Sequence, residues 1–246
     1  MIGVGAASAH DRRLRLYTVS AAAVWIAAGV GYFALEAVAA AGFRRNYSYA
    51  DNYISDLGAT SVGMSHGRMI DSPLAHLMNG AFCLQGILFL VGAVLVARAA
   101  GSDSPTLFLA FAAMNTIGNI LVGSFHSGPG AAVTGTGWVH ATGAVLAIVG
   151  GNMAIVTGSA LARDAGAAQW FRAASLGLAV LGLLSFLMFV VDLTNAAVDI
   201  LPAGVWERGS VYSTIVWQMF TAVYLLIGLL CQRLDGRATG LRRYMG

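Results

Sequence analysis

The chain of 246 residues is 58% hydrophobic and only 10% charged, with a mean hydropathy of +0.73. A soluble domain carries about 25% charged residues, so water is not the main solvent of this chain. The net charge of +3 comes from fourteen arginines and no lysine. These fall in short clusters between apolar runs and are not interleaved with aromatics along a groove, which argues against nucleic acid as a partner.

Apolar runs long enough to cross a hydrocarbon core occur at roughly 17–41, 74–97, 106–125, 138–162, 173–193 and 211–231. The expected fold is therefore all-α: a polytopic bundle of six transmembrane helices forming one domain over 1–246. Ser72-Pro73 and Ser104-Pro105 each offer a capping hydroxyl ahead of a proline at a first helical position. The last helix is expected to stop at Asp235-Gly236. Cys83 and Cys231 stand near opposite ends of the bundle and predict no disulfide.

Arg12, Arg13, Arg15, Arg98, Arg163, Arg172, Arg233, Arg237, Arg242 and Arg243 fall on one side of this map, and Arg44, Arg45, Arg68 and Arg208 on the other. This asymmetry predicts cytoplasmic N- and C-termini and a multi-pass protein of the inner, cytoplasmic membrane. Asp51, Asp56, Asp71, Asp199 and Glu207 then lie outside, with Glu36 and Asp192 at outer helix ends. The first apolar run is longer than a signal-peptide core and reads as a span. The connection 44–72 is expected to be an external loop folding over the outer face, because Ile54 and Leu57 would otherwise be exposed.

Polar side chains inside a membrane should face the bundle interior. His76, Asn79 and Cys83 share one helical face, Asn115, Asn119 and His126 another, and Ser185 and Asp192 a third. His140 opens the fourth helix, whose Gly143, Ala147 and Gly151 form a stripe that admits a neighbouring backbone. Thr214, Gln218 and Thr221 recur on a face of the sixth, with Glu207 and Arg208 expected just ahead of it. A chamber roofed by 52–58 follows. In it His76, His126, His140 and Asp192 have the residue types for a zinc site, Ser55, Asp56 and Glu207 for proton transfer or nucleophilic attack, and Asn52, Asn79, Asn119 and Arg208 for holding a lipid or other substrate. Glu36 is expected to pair with Arg208 or another outer arginine. Trp138, Trp206, Tyr47, Tyr49 and Tyr212 read as an interfacial aromatic belt.

The string Asn52-Tyr53-Ile54-Ser55-Asp56-Leu57-Gly58, followed by Ser72-Pro73, His76 and Asn79 and by Gly204-Val205-Trp206-Glu207-Arg208, resembles the prokaryotic membrane family called domain of unknown function 998. That family is distantly similar to the Frag and DRAM membrane proteins. The resemblance implies six helices and supplies no chemistry. It points to Asn52, Ser55, Asp56, Gly58, His76, Asn79, Glu207 and Arg208.

Three functions are compatible with these residues. A non-enzymatic lipid-binding, scaffold, carrier or accessory protein is favoured, with membrane lipids as its partners. A metal-assisted hydrolase or transferase on a lipid-linked substrate is the alternative, although neither a metalloprotease His-Glu-x-x-His nor a Gly-x-Ser-x-Gly elbow is present. An outer-side haem protein comes third. Transport is disfavoured by the lack of a mid-helix proline and of matching halves.

Overall fold

The computed structural model describes the backbone of residues 2–101, 104–194 and 200–244, and the side chains of 9–101, 104–194, 200–232 and 234. Asp199 and the side chains of Arg233, Arg237, Arg242 and Arg243 lie outside the described residues. Six helices have the length and composition to cross a membrane: Ala9–Ala41 within α1 (Ile2–Ala41), α2 (Ala75–Ala100), α3 (Thr106–Ser124), α5 (Gly137–Asp164), α6 (Gln169–Thr194) and Ala203–Gln232 within α7 (Ala203–Tyr244). The short α4 (Pro129–Thr134) lies between α3 and α5. The protein is a helical membrane bundle.

Helix packing follows the small residues. A Cβ at Gly118 of α3 would strike the Ala147 amide nitrogen, and one at Gly143 would lie 2.7 Å from the Leu121 Cβ. The stripe on α5 therefore lets the α3 backbone approach closely, as small residues do between membrane helices. Gly151 meets α7 as well as α3, since a Cβ there would lie 2.6 Å from the Thr214 hydroxyl and 2.9 Å from Asn115 Nδ2. Two apolar clusters fill the bundle. One is built around Trp25, Phe89, Phe108, Ile155 and Trp217, and the other around Tyr32, Phe43, Ile54, Leu57, Ile70, Met78 and Phe82.

Both ends of the last helix differ from those read in the sequence. Glu207 and Arg208 stand inside α7, which begins at Ala203, because within the bundle Glu207 accepts the Ile54 amide and Arg208 pairs with Glu36. At its other end α7 runs through Asp235-Gly236 to Tyr244. The residues bounding α2 and α3 at their starts are Leu74 and Pro105, whose own side chains make no cap. The Ser72 hydroxyl instead donates to the Leu57 carbonyl at 2.6 Å.

The connection between α1 and α2 is a folded cover. It contains a 3-10 turn, Ser55–Gly58, and a hairpin of β1 (Gly63–Ser65) with β2 (Arg68–Ile70). Ser65 pairs with Arg68 across His66-Gly67, both at positive φ (47° and 75°), the turn that matches the twist of a two-residue hairpin. Ile54, Leu57 and Ile70 are fully buried. Each such side chain stabilises the cover by about 1.5–3 kcal/mol, which holds it against the helix ends.

Candidate functional site

The site is built where the cover meets the first turns of α7. Gly204 lies against the Ala50 and Asn52 carbonyls so tightly that a Cβ would strike both. One turn on, the Glu207 carboxylate accepts the Ile54 N–H, and the Arg208 Nη1 donates to the carbonyls of Tyr49 (2.6 Å), Asn52 (2.7 Å) and Gly204 (3.1 Å). The Arg208 Nη2 reaches Glu36 Oε1 at 3.3 Å and donates to the Tyr47 hydroxyl. Tyr212 donates to the Glu36 carboxylate, 2.7 Å from each oxygen. The guanidinium also lies over the rings of Tyr47 and Tyr49, with centroids 5.5 and 4.9 Å away. The expected Glu36–Arg208 pair is present, and it is the centre of a knot that ties α1, the cover and α7 together.

A second knot lies within the cover. Asp56 accepts from the Tyr53 N–H (3.0 Å), from Asn52 Nδ2 (3.1 Å) and from Arg68 Nε (2.9 Å). The hairpin delivers Arg68 to this carboxylate and over the Tyr53 ring, 3.6 Å from its centroid. Burial pulls the Arg68 guanidinium down, but its hydrogen bonds and charge contact with Asp56 prevail and raise it above its ordinary value. Burial raises the Tyr47 and Tyr53 phenols, which therefore stay protonated. Asn79 of α2 donates to the Gly58 carbonyl at 2.9 Å, and a Cβ at Gly58 would strike the same side chain. Glycine at 58 is thus required by close approach.

Beneath Ile54 and Ser55 is a chamber of about 60 Å³ lined by Tyr32, Gln85, Asn115, Asn119, His140, Glu207, Ser210 and Thr214 among others. The hydroxyls of Tyr32 and Thr214 are buried in it without a hydrogen-bond partner among the described residues. Asn119 donates to the Asn115 carbonyl at 3.0 Å, and Gln85 donates to Gln218 at 2.8 Å. The space holds a few water molecules and no more.

The family follows from these positions and from the chain as a whole, for the model of the family described as Protein of unknown function (DUF998) matches residues 7–224. The chain belongs to the DUF998 family. No curated protein and no solved structure matches it. In this DUF998 protein the two motif segments, 52–58 and 204–208, form one hydrogen-bonded unit with Asn79, although about 150 residues separate them.

The structure sorts the expected site residues unevenly. Asn52, Asp56, Asn79, Glu207 and Arg208 come together through hydrogen bonds to backbone and to one another, while the buried Arg208 Nε has no hydrogen-bond partner among the described residues. Ser55 lines the chamber, and its carbonyl accepts the Ser127 hydroxyl at 2.8 Å. Asn119 and His140 also line it, whereas His76, His126 and Asp192 do not. His76 is exposed, so it does not share the inward face of buried Asn79. His126 lies 3.3 Å from the Thr60 hydroxyl, and His140 Nδ1 lies 2.7 Å from the Phe125 carbonyl. Burial, and then the charge of neighbouring His76, lower the His126 imidazole from its ordinary value. The expected zinc set is not assembled: among the described residues no three His, Cys, Asp or Glu side chains are grouped to hold an ion.

Tyr32, Gln85, Tyr47 and Tyr212 were not singled out as site residues by the sequence. Tyr47 and Tyr212, expected as belt residues, carry hydrogen bonds to the charges of the knot. The one available signal was Gln85, an amide in the middle of a membrane-length apolar run. The tyrosines gave none, because their rings suit an interface equally well.

Proposed function

We propose that this DUF998 protein is a non-enzymatic, lipid-binding membrane protein whose covered end is a rigid lock. The observation that carries the reading is the state of the acidic groups there. Asp56 is taken by Arg68, Asn52 and the Tyr53 amide, Glu36 by Arg208 and Tyr212, and Glu207 by the Ile54 amide. A general base must reach the proton it removes. These carboxylates face arginines, amides and tyrosines, and the chamber below is far smaller than the roughly 300–1,000 Å³ of small-molecule sites. With no metal set grouped among the described residues, the hydrolase alternative loses the part that would generate its nucleophile.

Native mass spectrometry of the detergent-purified protein, with metal analysis of the same sample, tests the proposal. Retained lipid and zinc well below one per chain are the expected result. Stoichiometric zinc, with ester or phosphodiester hydrolysis that disappears in His140→Ala, would overturn it in favour of the enzyme. A Soret band in the absorption spectrum would overturn it in favour of a haem protein.

A further inference from the structure

In the middle of the bundle α1 and α7 are in close contact. A Cβ at Gly29 would strike Met219, and the Trp25 and Trp217 rings lie 5.4 Å apart. Trp25 also donates to the Phe89 carbonyl of α2 at 3.0 Å. Toward the end opposite the cover, where α1 contributes Asp11 to Thr18 and α7 contributes Thr221 to Gln232, a well of about 580 Å³ lies between α1, α2, α5 and α7. It is within the roughly 300–1,000 Å³ of small-molecule sites, whereas the chamber under the cover is not.

The lining is mostly apolar, with Leu14, Leu161, Leu225, Leu229, Phe108 and Trp217 as its large side chains. Its charged residues are Asp11 and Arg15, one turn apart on α1, both exposed and not paired with each other among the described residues. A Cβ at Gly228, also in the lining, would meet nothing within 4 Å, so there is open space beside α7. If a methylene takes about the 30 Å³ share of a water molecule, the well holds on the order of twenty chain groups, which is one acyl chain.

The charges at this end favour an anion. Its described side chains include Arg12, Arg13, Arg15, Arg98, Arg163 and Arg172 against Asp11 and Asp164, and Asp164 is taken by Arg163 at 3.0 Å. At the covered end Arg68 and Arg208 are each engaged by a carboxylate. Arg12, Arg13, Arg15 and Arg98 are exposed and have no such partner among the described residues. Arg98 follows the lining residue Val96 and precedes Ala99 and Ala100, and it lies 6.0 Å from the Tyr17 ring centroid of α1, so it shares the rim with Arg15. We infer that the well is a binding site for one long acyl chain carrying an anionic headgroup, with the chain among the leucines and the headgroup at Arg15 and Arg98. The reverse orientation would bury the charge among apolar side chains without a counterion. The site gives the lipid-binding reading a ligand class and rests on that reading. A free fatty acid and an anionic phospholipid share this chemistry.

Quenching of tryptophan fluorescence in the purified, full-length protein decides between them, because Trp217 is in the lining. The probes are a fatty acid, a phosphatidylglycerol and a phosphatidylcholine, each brominated at the middle of its chain. Saturable quenching by the fatty acid or the phosphatidylglycerol identifies the source, and the zwitterionic phosphatidylcholine should bind several-fold more weakly. The Arg15→Gln, Arg98→Gln double variant is expected to bind the preferred probe about tenfold more weakly, as two exposed charge contacts would allow. Gly228→Phe places a ring in the open space, and it should abolish saturable quenching while unfolding at close to the wild-type temperature. No saturable quenching by either anionic probe, equal affinity for all three probes, or wild-type affinity in the double variant or in Gly228→Phe would overturn the inference. Lipid retained in native mass spectra alongside any of these outcomes would leave the lipid-binding reading standing and remove only this site.

Discussion

The carboxylate of Glu207, in the second turn of α7, accepts the backbone N–H of Ile54, 153 residues earlier in the chain. Both groups are buried, and Ile54 opens the 3-10 turn that covers the chamber. The contact explains how a charged residue stands inside a membrane-length helix: an amide aimed at it replaces water. It also sets the height of the cover above the chamber, since Ile54 and Ser55 form the roof while Glu207 is in the wall.

Glu207→Ala is therefore expected to free the cover. The Ile54 amide loses its acceptor in a buried place, at a cost of about 1–3 kcal/mol. Glu207→Gln keeps an acceptor oxygen and should keep the cover closed. Hydrogen exchange of residues 52–58 checks this, with protection falling in the alanine variant and held in the glutamine variant. Equal protection in both would show that apolar packing alone holds the roof.

Asp56→Ala should be among the most damaging changes in the cover. It leaves Arg68, Asn52 and the Tyr53 amide without their shared acceptor, and removing one partner of a buried pair costs about 3–5 kcal/mol. Because the Arg68 side chain is 17% exposed and can turn outward, the lower end of that range is expected. Thermal unfolding in detergent measures the loss. Asp56→Ala combined with Arg68→Leu should recover part of it, and a double variant no more stable than the single one would refute the pairing.

Acidification should weaken the region around His126. Its folded imidazole is lowered from the ordinary value, by burial first and by His76 second, so the unfolded chain binds a proton more readily. Stability from this group is complete above the ordinary histidine pKa of about 6.5 and falls as pH drops from there through the lowered folded value. His126→Gln should flatten that part of the unfolding profile, and His76→Gln should raise the His126 titration midpoint in a histidine-labelled NMR titration. A midpoint at or above that of free histidine would contradict the placement.

The distribution of arginines makes a topological prediction. Reporter fusions after Arg98 and Arg163 should read cytoplasmic, and those near Gly63 and Gly130 external. The cover would then face outward. The opposite pattern would reverse that assignment without altering the packing.

The sequence by itself determined the number of spans and where most of them lie, because about 20 consecutive apolar residues have one low-energy fate in a bilayer. It also marked 52–58 and 204–208 as the segments to watch, and Glu36 as a partner for Arg208. What only the tertiary structure decided is how those groups are used. Helical spacing put His76 on the face of Asn79, yet His76 is exposed and Asn79 holds Gly58, because periodicity gives an angle around a helix and not the height at which the bundle ends. The hydrogen bonds of Arg208 to three carbonyls, and of Tyr212 to Glu36, join residues more than 150 positions apart except at Gly204. No local pattern encodes such pairs.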